Sequence, residues 1–287
     1  MTISALRDGI PPQPRTAFVL GGGGPLGAVQ VGMLQAVLAR GLQPDMLLGC
    51  SVGAINAVCL AGAPTPAGGE RLAEIWRGLE ADSIIASGHL SRLWLLARKG
   101  LALQSNDGLR ALIESSIDYG TFEEAAVELH VVATSMRTGR ERWFSSGEVV
   151  EPVLASAALP AIFPPVEIDG ELFIDGAVVD NVPISRAVAL GATRVVVFHV
   201  GNFERPRPLP RRPLDVLLQS FSIARNYRFL AEVEHPPPGV ELITLPSIDP
   251  GPTRYNDFAR SHQLIERARA AAAAFLDTRI PTAAAGT

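Results

Sequence analysis

The stretch Met46 to Gly62 constrains the fold most tightly. Met46-Leu47-Leu48 is a short apolar run of the kind a buried parallel strand requires. It enters Gly49-Cys50-Ser51-Val52-Gly53 and leaves in helical spacing through Ala54-Ile55-Asn56-Ala57-Val58. A serine between two glycines, on a sharp turn from strand to helix, presents its hydroxyl at the end of a sheet. Glycines suit such a turn because it leaves no room for neighbouring Cβ atoms. The helix start also offers unpaired amide N–H groups to any oxyanion formed beside Ser51. The competing reading of the motif alone is an ordinary Gly/Ser turn.

Neither Thr16–Ala39 nor Met46–Gly69 contains a charged residue. The apolar part of the second, to Gly62, is near the lower limit for a membrane span, roughly 17 residues. Both segments are broken by glycines and prolines, and the second carries Ser51 and Asn56. Core strand followed by buried helix is therefore the expectation for both. Thr16–Leu20 reads as a strand, then comes Gly21-Gly22-Gly23-Gly24-Pro25-Leu26-Gly27. A helix is expected from about Ala28 to Arg40, with Val29, Met33, Val37, Leu34 and Leu38 on its inner side and Gly41 as its C-cap. A β-α-β-α opening with short connections implies a parallel sheet between helices, a three-layer α/β/α architecture with a mostly parallel sheet.

At 287 residues the chain suits one large α/β domain or two small ones. The expected organisation is a loose arm at 1–15, a core at 16–200 and a C-terminal extension at 201–287 packing on the same domain. Pro64–Gly69 reads as a loop. Helical spacing follows at Glu70–Leu79, His89–Lys99 and Asp107–Ile117, and Trp94-Leu95-Leu96 in the second is apolar enough to cover a lipid site or simply to pack. Strands are expected at His130–Ser135, Glu141–Phe144, Val166–Ile168, Leu172–Ile174, Arg194–Val200 and Glu241–Leu245. Asp169-Gly170 marks a tight hairpin. Helices are expected at Glu151–Ala158, Pro183–Leu190, 214–232 and 257–276. Pro206–Pro213 is proline-rich and basic, and reads as a surface loop before an SH3-type ligand. With 19% charged residues and a net charge of −4, the composition offers no basis for a nucleic-acid partner. Cys50 and Cys59 read as small buried hydrophobes. No secretory h-region opens the sequence, so a cytoplasmic protein, able to touch membranes peripherally, is the expectation.

A nucleophilic Ser51 needs an oxyanion hole and a base. Glycines let several amides converge on one point, and Pro25 has no N–H. The candidate donors are therefore Gly22, Gly23, Gly24 and Val52, with Gly23 and Gly24 foremost. The same loop matches G-x-G-x-x-G through Gly22, Gly24 and Gly27, but a dinucleotide site needs an acid at the end of the second strand. Asp45 precedes that strand, so no nucleotide cofactor is expected. Metal ligands are scattered, and no metal is expected either. None of His89, His130, His199, His235 and His262 sits in a recognisable site, although His199 is near a strand end. Asp175, leaving a hairpin strand into Gly176-Ala177, is the better candidate base, with a plain Asp-Gly turn as its alternative.

Taken in order, the glycine loop, Gly49-Cys50-Ser51-Val52-Gly53 and Asp175-Gly176-Ala177 resemble the patatin-like phospholipase family. Val29-Gln30-Val31-Gly32, Ala155-Ser156-Ala157-Ala158-Leu159-Pro160, Phe163-Pro164-Pro165 and Val178-Val179-Asp180-Asn181-Val182-Pro183 add to the likeness, which covers about residues 16–200. The resemblance implies a lipid acyl hydrolase using a Ser51–Asp175 dyad without histidine, an acyl-enzyme intermediate and an oxyanion hole in Gly22–Gly27. Its substrate would be a lipid or other acyl ester. Leu26 stands where the family often has Arg or Lys, which favours neutral acyl esters over phospholipids. A thioesterase or acyltransferase with the same dyad, or a non-catalytic lipid-binding module, are the alternatives.

Overall fold

The structure, a computed structural model, describes residues 14–79, 102–201, 209–251 and 257–279. The helix expected at His89–Lys99 lies outside the described residues, as do residues 1–13 of the arm and Pro206–Pro208 of the proline-rich loop.

The expected opening is present: β1 (Thr16–Leu20), a 3-10 turn (Gly24–Leu26), α1 (Gly27–Leu38), β2 (Met46–Cys50) and α2 (Val52–Ala61). Next comes α3 (Pro66–Arg77), which starts earlier than its spacing suggests. Thr65 caps it by accepting the Gly68 N–H at 3.3 Å, and Pro66 at the first helical position already has a helical φ. The stretch expected as a loop is thus largely the first turn of a helix. The chain continues through α4 (Asp107–Ser116), β3 (Glu128–Ser135), β4 (Glu141–Phe144) and α5 (Val150–Ser156). A hairpin of β5 (Val166–Ile168) and β6 (Glu171–Asp175) follows, then α6 (Ile184–Ala189) and β7 (Arg194–Phe198). Asp169 and Gly170, with φ of 52° and 75°, supply the two left-handed residues that a tight hairpin turn demands. Last are α7 (Pro213–Glu234), β8 (Glu241–Thr244) and α8 (Ser261–Arg279).

The described strands form one eight-stranded sheet, paired in the order β5-β6-β3-β2-β1-β7-β8 with β4 also on β3. Four of the seven pairings are parallel: β1 with β2, β1 with β7, β2 with β3, and β7 with β8. Side chains alternate between two buried faces, as in a sheet covered on both sides. Phe18, Leu20, Leu47 and Phe198 face the helices α1, α2, α3 and α8, while Ala17, Val19, Met46 and Leu48 face α6 and α7.

All twelve residues of α1 are buried, not only the inner stripe that its spacing marks. Its outer face is covered by α8. A Cβ on Gly32 would come within 2.1 Å of the Ile265 carbonyl oxygen, so glycine here lets the two helix backbones touch. Periodicity cannot see this, because α8 comes from the far end of the chain.

Candidate active site

Ser51 sits between β2 and α2 with φ of 55° and ψ of −127°, a conformation that non-glycine residues rarely adopt. The flanking glycines are demanded by contact. A Cβ on Gly49 would lie 2.5 Å from Ala54 Cα, and one on Gly53 would lie 2.1 Å from the Leu20 carbonyl oxygen. The turn is therefore as tight as the spacing of the two glycines suggests.

Strand pairing explains what faces Ser51. Val131 and Val132 pair with both β2 and β4, while Ala133 and Thr134 pair with both β4 and β6. Because a strand has only two edges, β2 and β6 must share one edge of β3, end to end. They run in opposite directions along it, since β2 is parallel and β6 antiparallel to β3. Their C-terminal ends, Cys50 opposite Val132 and Asp175 opposite Ala133, therefore meet head-on. The hydroxyl of Ser51 donates to Asp175 Oδ2 at 2.7 Å.

Asp175 is 1% exposed. Its Oδ1 accepts the Ala177 N–H at 2.9 Å, its carbonyl accepts the Thr134 hydroxyl at 2.9 Å, and its N–H donates to the Ala158 carbonyl at 3.0 Å. Burial pushes its pKa up from 3.8 to about 6, and the bonds from Ser51 and Ala177 and the charge of Arg225 limit the rise. The stretch Ala155–Pro160 holds both residues: Ala158 takes the Asp175 amide, and the Ser156 hydroxyl accepts the Ser51 N–H at 2.9 Å. The sequence gives no sign of this part for Ser156, which stands there as one small residue in an alanine run.

The glycine loop lies against Ser51. A Cβ on Gly22 would come within 2.9 Å of Ser51 Cβ. Gly22, however, turns its N–H away, donating to Asn181 Oδ1 at 3.1 Å and to the Asn181 carbonyl at 3.3 Å. The N–H groups of Gly23 and Gly24 meet no acceptor among the described residues, and both glycines line the same cavity as Ser51. That cavity has a volume of about 320 Å³ and is walled mainly by apolar side chains such as Ile55, Leu72, Trp76, Leu109, Ile162 and Phe258. Asp175 and Arg225 are the charged residues among the described lining. Cys59, expected in the core, is half-buried and also lines the cavity.

No described histidine lines the cavity. His199 stacks on Phe229 at 4.2 Å, and burial pushes its pKa down to about 3. His130 bonds Glu128 at 2.8 Å, while His235 and His262 are exposed. Asp45, the nearest acid for a dinucleotide reading, accepts the Thr16 N–H at 2.7 Å at the opposite end of β2 from Ser51. A serine bonded directly to a buried carboxylate, beside two open amides in an apolar cavity, has the parts required for acyl transfer.

The sequence profile of the patatin-like phospholipase family matches residues 18–188. The chain belongs to this family. An uncharacterized NTE family protein of Mycobacterium tuberculosis is 24% identical over 201 residues, covering 70% of this chain and 53% of the relative. Lysophospholipase nte1 of Aspergillus terreus is 27% identical over 195 residues, covering 67% of this chain and 12% of that protein. The chain thus spans about half the length of the mycobacterial relative and far less of the fungal one. Among solved structures, VipD from Legionella pneumophila matches with a TM-score of 0.54 at 17% identity, covering 93% of this chain and 67% of VipD. That likeness supports the patatin-like α/β fold.

Proposed function

We propose that this patatin-like protein is a lipid acyl hydrolase with Ser51 as nucleophile and Asp175 as general base. The observation that carries the reading is the 2.7 Å bond from Ser51 to Asp175, both of which line an apolar cavity. Ser51 Oγ attacks the ester carbonyl carbon and its proton passes to Asp175. The oxyanion is held by the Gly23 and Gly24 amides, since the Gly22 amide is engaged by Asn181. Collapse of the tetrahedral intermediate breaks the bond to the alcohol, which leaves with the proton from Asp175, and the acyl group stays on Ser51. Water then attacks that ester, gives its proton to Asp175, and the fatty acid departs as Ser51 is reprotonated. Leu26 and the mainly apolar wall favour neutral acyl esters.

A p-nitrophenyl ester series of increasing chain length, run beside phospholipids and acyl thioesters, tests this. Each methylene buried in the cavity contributes about 0.8 kcal/mol, so kcat/KM should rise about fourfold per methylene until the cavity is full. A fluorophosphonate should label the protein, and Ser51→Ala should remove the label. Labelling that survives this substitution would overturn the nucleophile, and an unlabelled folded protein would leave a lipid-binding module. Preferred turnover of thioesters, or transfer to an added alcohol, would move the reading to a thioesterase or acyltransferase.

Among the described residues no helix is long and apolar enough to cross a membrane. Peripheral contact is supported by α7, whose Phe221 and Arg225 line the cavity while Val216, Ile223 and Tyr227 are 50%, 55% and 80% exposed. Their spacing puts these three on one outer stripe. Co-sedimentation with phospholipid vesicles, lost on replacing all three by serine, is the expected result. Binding unchanged in that variant would refute the contact.

A further inference from the structure

The Gly21–Gly22 peptide is held at both of its polar ends. Its carbonyl, on Gly21, accepts from Gln30 Nε2 at 2.5 Å. Its N–H, on Gly22, donates to Asn181 Oδ1 and to the Asn181 carbonyl. Gln30 reaches the loop from the first turns of α1, and Asn181 from the segment that follows Asp175. Both are buried, at 0% and 3% exposure. Gln30 is itself fixed: Nε2 also donates to the Phe198 carbonyl at 3.0 Å, and Oε1 accepts from Asn56 Nδ2 at 2.9 Å. Asn56 in turn donates to the Gly27 carbonyl at 3.2 Å and accepts from Trp76 Nε1 at 2.8 Å. This chain of side-chain amides runs from a wall of the cavity, Trp76, to the peptide that precedes Gly23.

A peptide unit in a glycine-rich loop rotates easily, and rotation here would redirect the next amides along the chain. Turning the Gly21–Gly22 peptide over would give up its bonds to Gln30 and Asn181. It would also set its carbonyl against the Asn181 oxygens. The neighbouring Asn181 Nδ2 has no hydrogen-bond partner among the described residues. A buried donor left unmade costs stability, so what favours asparagine here is its acceptor half. A preorganised set of donors is what distinguishes an oxyanion hole from a flexible loop.

We propose that Gln30 and Asn181 are positioning residues that lock the Gly21–Gly22 peptide and thereby aim the Gly23 and Gly24 amides at the reacting carbonyl. This rests on the acyl-hydrolase reading of the site. Neither side chain touches substrate, and neither lines the cavity. Because Asn181 lies on the segment that begins at Asp175, the clamp also ties the oxyanion donors to the base.

The test uses the full chain as Gln30→Met and Asn181→Ala, which remove the side-chain bonds at opposite ends of the peptide and leave the Asn181 backbone carbonyl as the remaining acceptor of the Gly22 N–H. Folding is checked by thermal melting. Displacing catalytic donors by about an ångström costs up to ~100-fold, so kcat on the best p-nitrophenyl ester should fall about ten- to hundredfold, with KM changed by less than about twofold. The trifluoromethyl ketone bearing the same acyl chain forms an oxyanion at Ser51, and its affinity should weaken by the factor lost in kcat/KM. The free fatty acid should bind as before, and the midpoint of the pH–rate profile should stay in place, because the Ser51–Asp175 bond is untouched. Either folded variant with native kcat, or one that loses fatty acid and ketone affinity equally, would overturn the clamp. Native protein that hydrolyses no ester would instead overturn the proposed function itself, which separates the two failures.

Discussion

Asp175→Asn should abolish turnover and, above pH 6, stabilise the protein relative to the parent. The folded carboxyl titrates at about 6 against an ordinary value of 3.8, with burial as the main cause. Two units at about 1.4 kcal/mol each amount to ~3 kcal/mol held against the ionised form in the fold. The sign follows from proton binding: the folded state holds this proton more tightly than the unfolded chain. The stability contributed by Asp175 is fully present below about pH 4 and is lost as pH rises through about 6. Asparagine does not titrate, yet it keeps an oxygen for the Ala177 N–H and can still meet the Ser51 hydroxyl. The stability of Asp175→Asn relative to the parent should therefore grow by about 3 kcal/mol between pH 4 and pH 8, or about 6–12 °C in Tm. Asp180, pushed up to about 7 mainly by burial, titrates in an overlapping window, but it does so in both proteins and drops out of the difference. Urea unfolding of both proteins at pH 4, 6 and 8 measures it. A difference that stays constant with pH, or that shrinks as pH rises, would refute the claim that the buried carboxylate is ionised at a cost to the fold.

Three further outcomes follow from the same geometry. With Asp175 as base, kcat/KM should climb with pH through about 6 and level off above it; a profile that instead falls with rising pH through this range would remove Asp175 from that role. Ser51→Gly should be more stable than Ser51→Ala by about 1 kcal/mol in urea unfolding, reversing the usual order, because both lose the hydroxyl and only alanine keeps a side chain at φ of 55°. Gly32→Ala should destabilise by about 1–3 kcal/mol by forcing α8 off α1, since its Cβ would press on the Ile265 carbonyl; unchanged thermal melting would show that α8 does not pack this closely.

The proposed reaction centre was legible because its two halves are each written locally. Gly49 and Gly53 announce the tight turn at Ser51, and Asp175-Gly176 announces the end of β6. What brings them together is a shared edge of β3, which only strand pairing reveals. The supports were not legible for a related reason. Gln30, Asn56 and Ser156 are polar residues in long apolar stretches, which signals a buried polar role without naming the partner. Asn181 stands in the sequence only as part of the Val178–Pro183 stretch, and its role appears when its oxygen is seen at the Gly22 amide. The glycine loop shows the same limit: spacing offers Gly22, Gly23 and Gly24 with the last two foremost, and only hydrogen bonding shows that the Gly22 amide is engaged elsewhere. Chain-distant packing accounts for the remainder, as with the burial of the outer face of α1 by α8.

The head-on meeting of β2 and β6 also bears on why this site would dispense with histidine. An imidazole between serine and carboxylate needs space for a ring and a hydrogen bond on each side. Here the two strand ends abut along one edge, and the hydroxyl and carboxylate stand 2.7 Å apart, which leaves no room for a ring between them. A carboxylate in water is too weak a base to take a proton from serine efficiently, and its proton affinity must be raised. Burial does this, and the same burial works against the ionised fold, so basicity and instability at Asp175 have one origin. The Thr134 hydroxyl, the Ala158 carbonyl and the Ala177 amide hold the residue in place without fully relieving it. On this view a change that brought water to Asp175 would make the protein more stable and a poorer hydrolase at once.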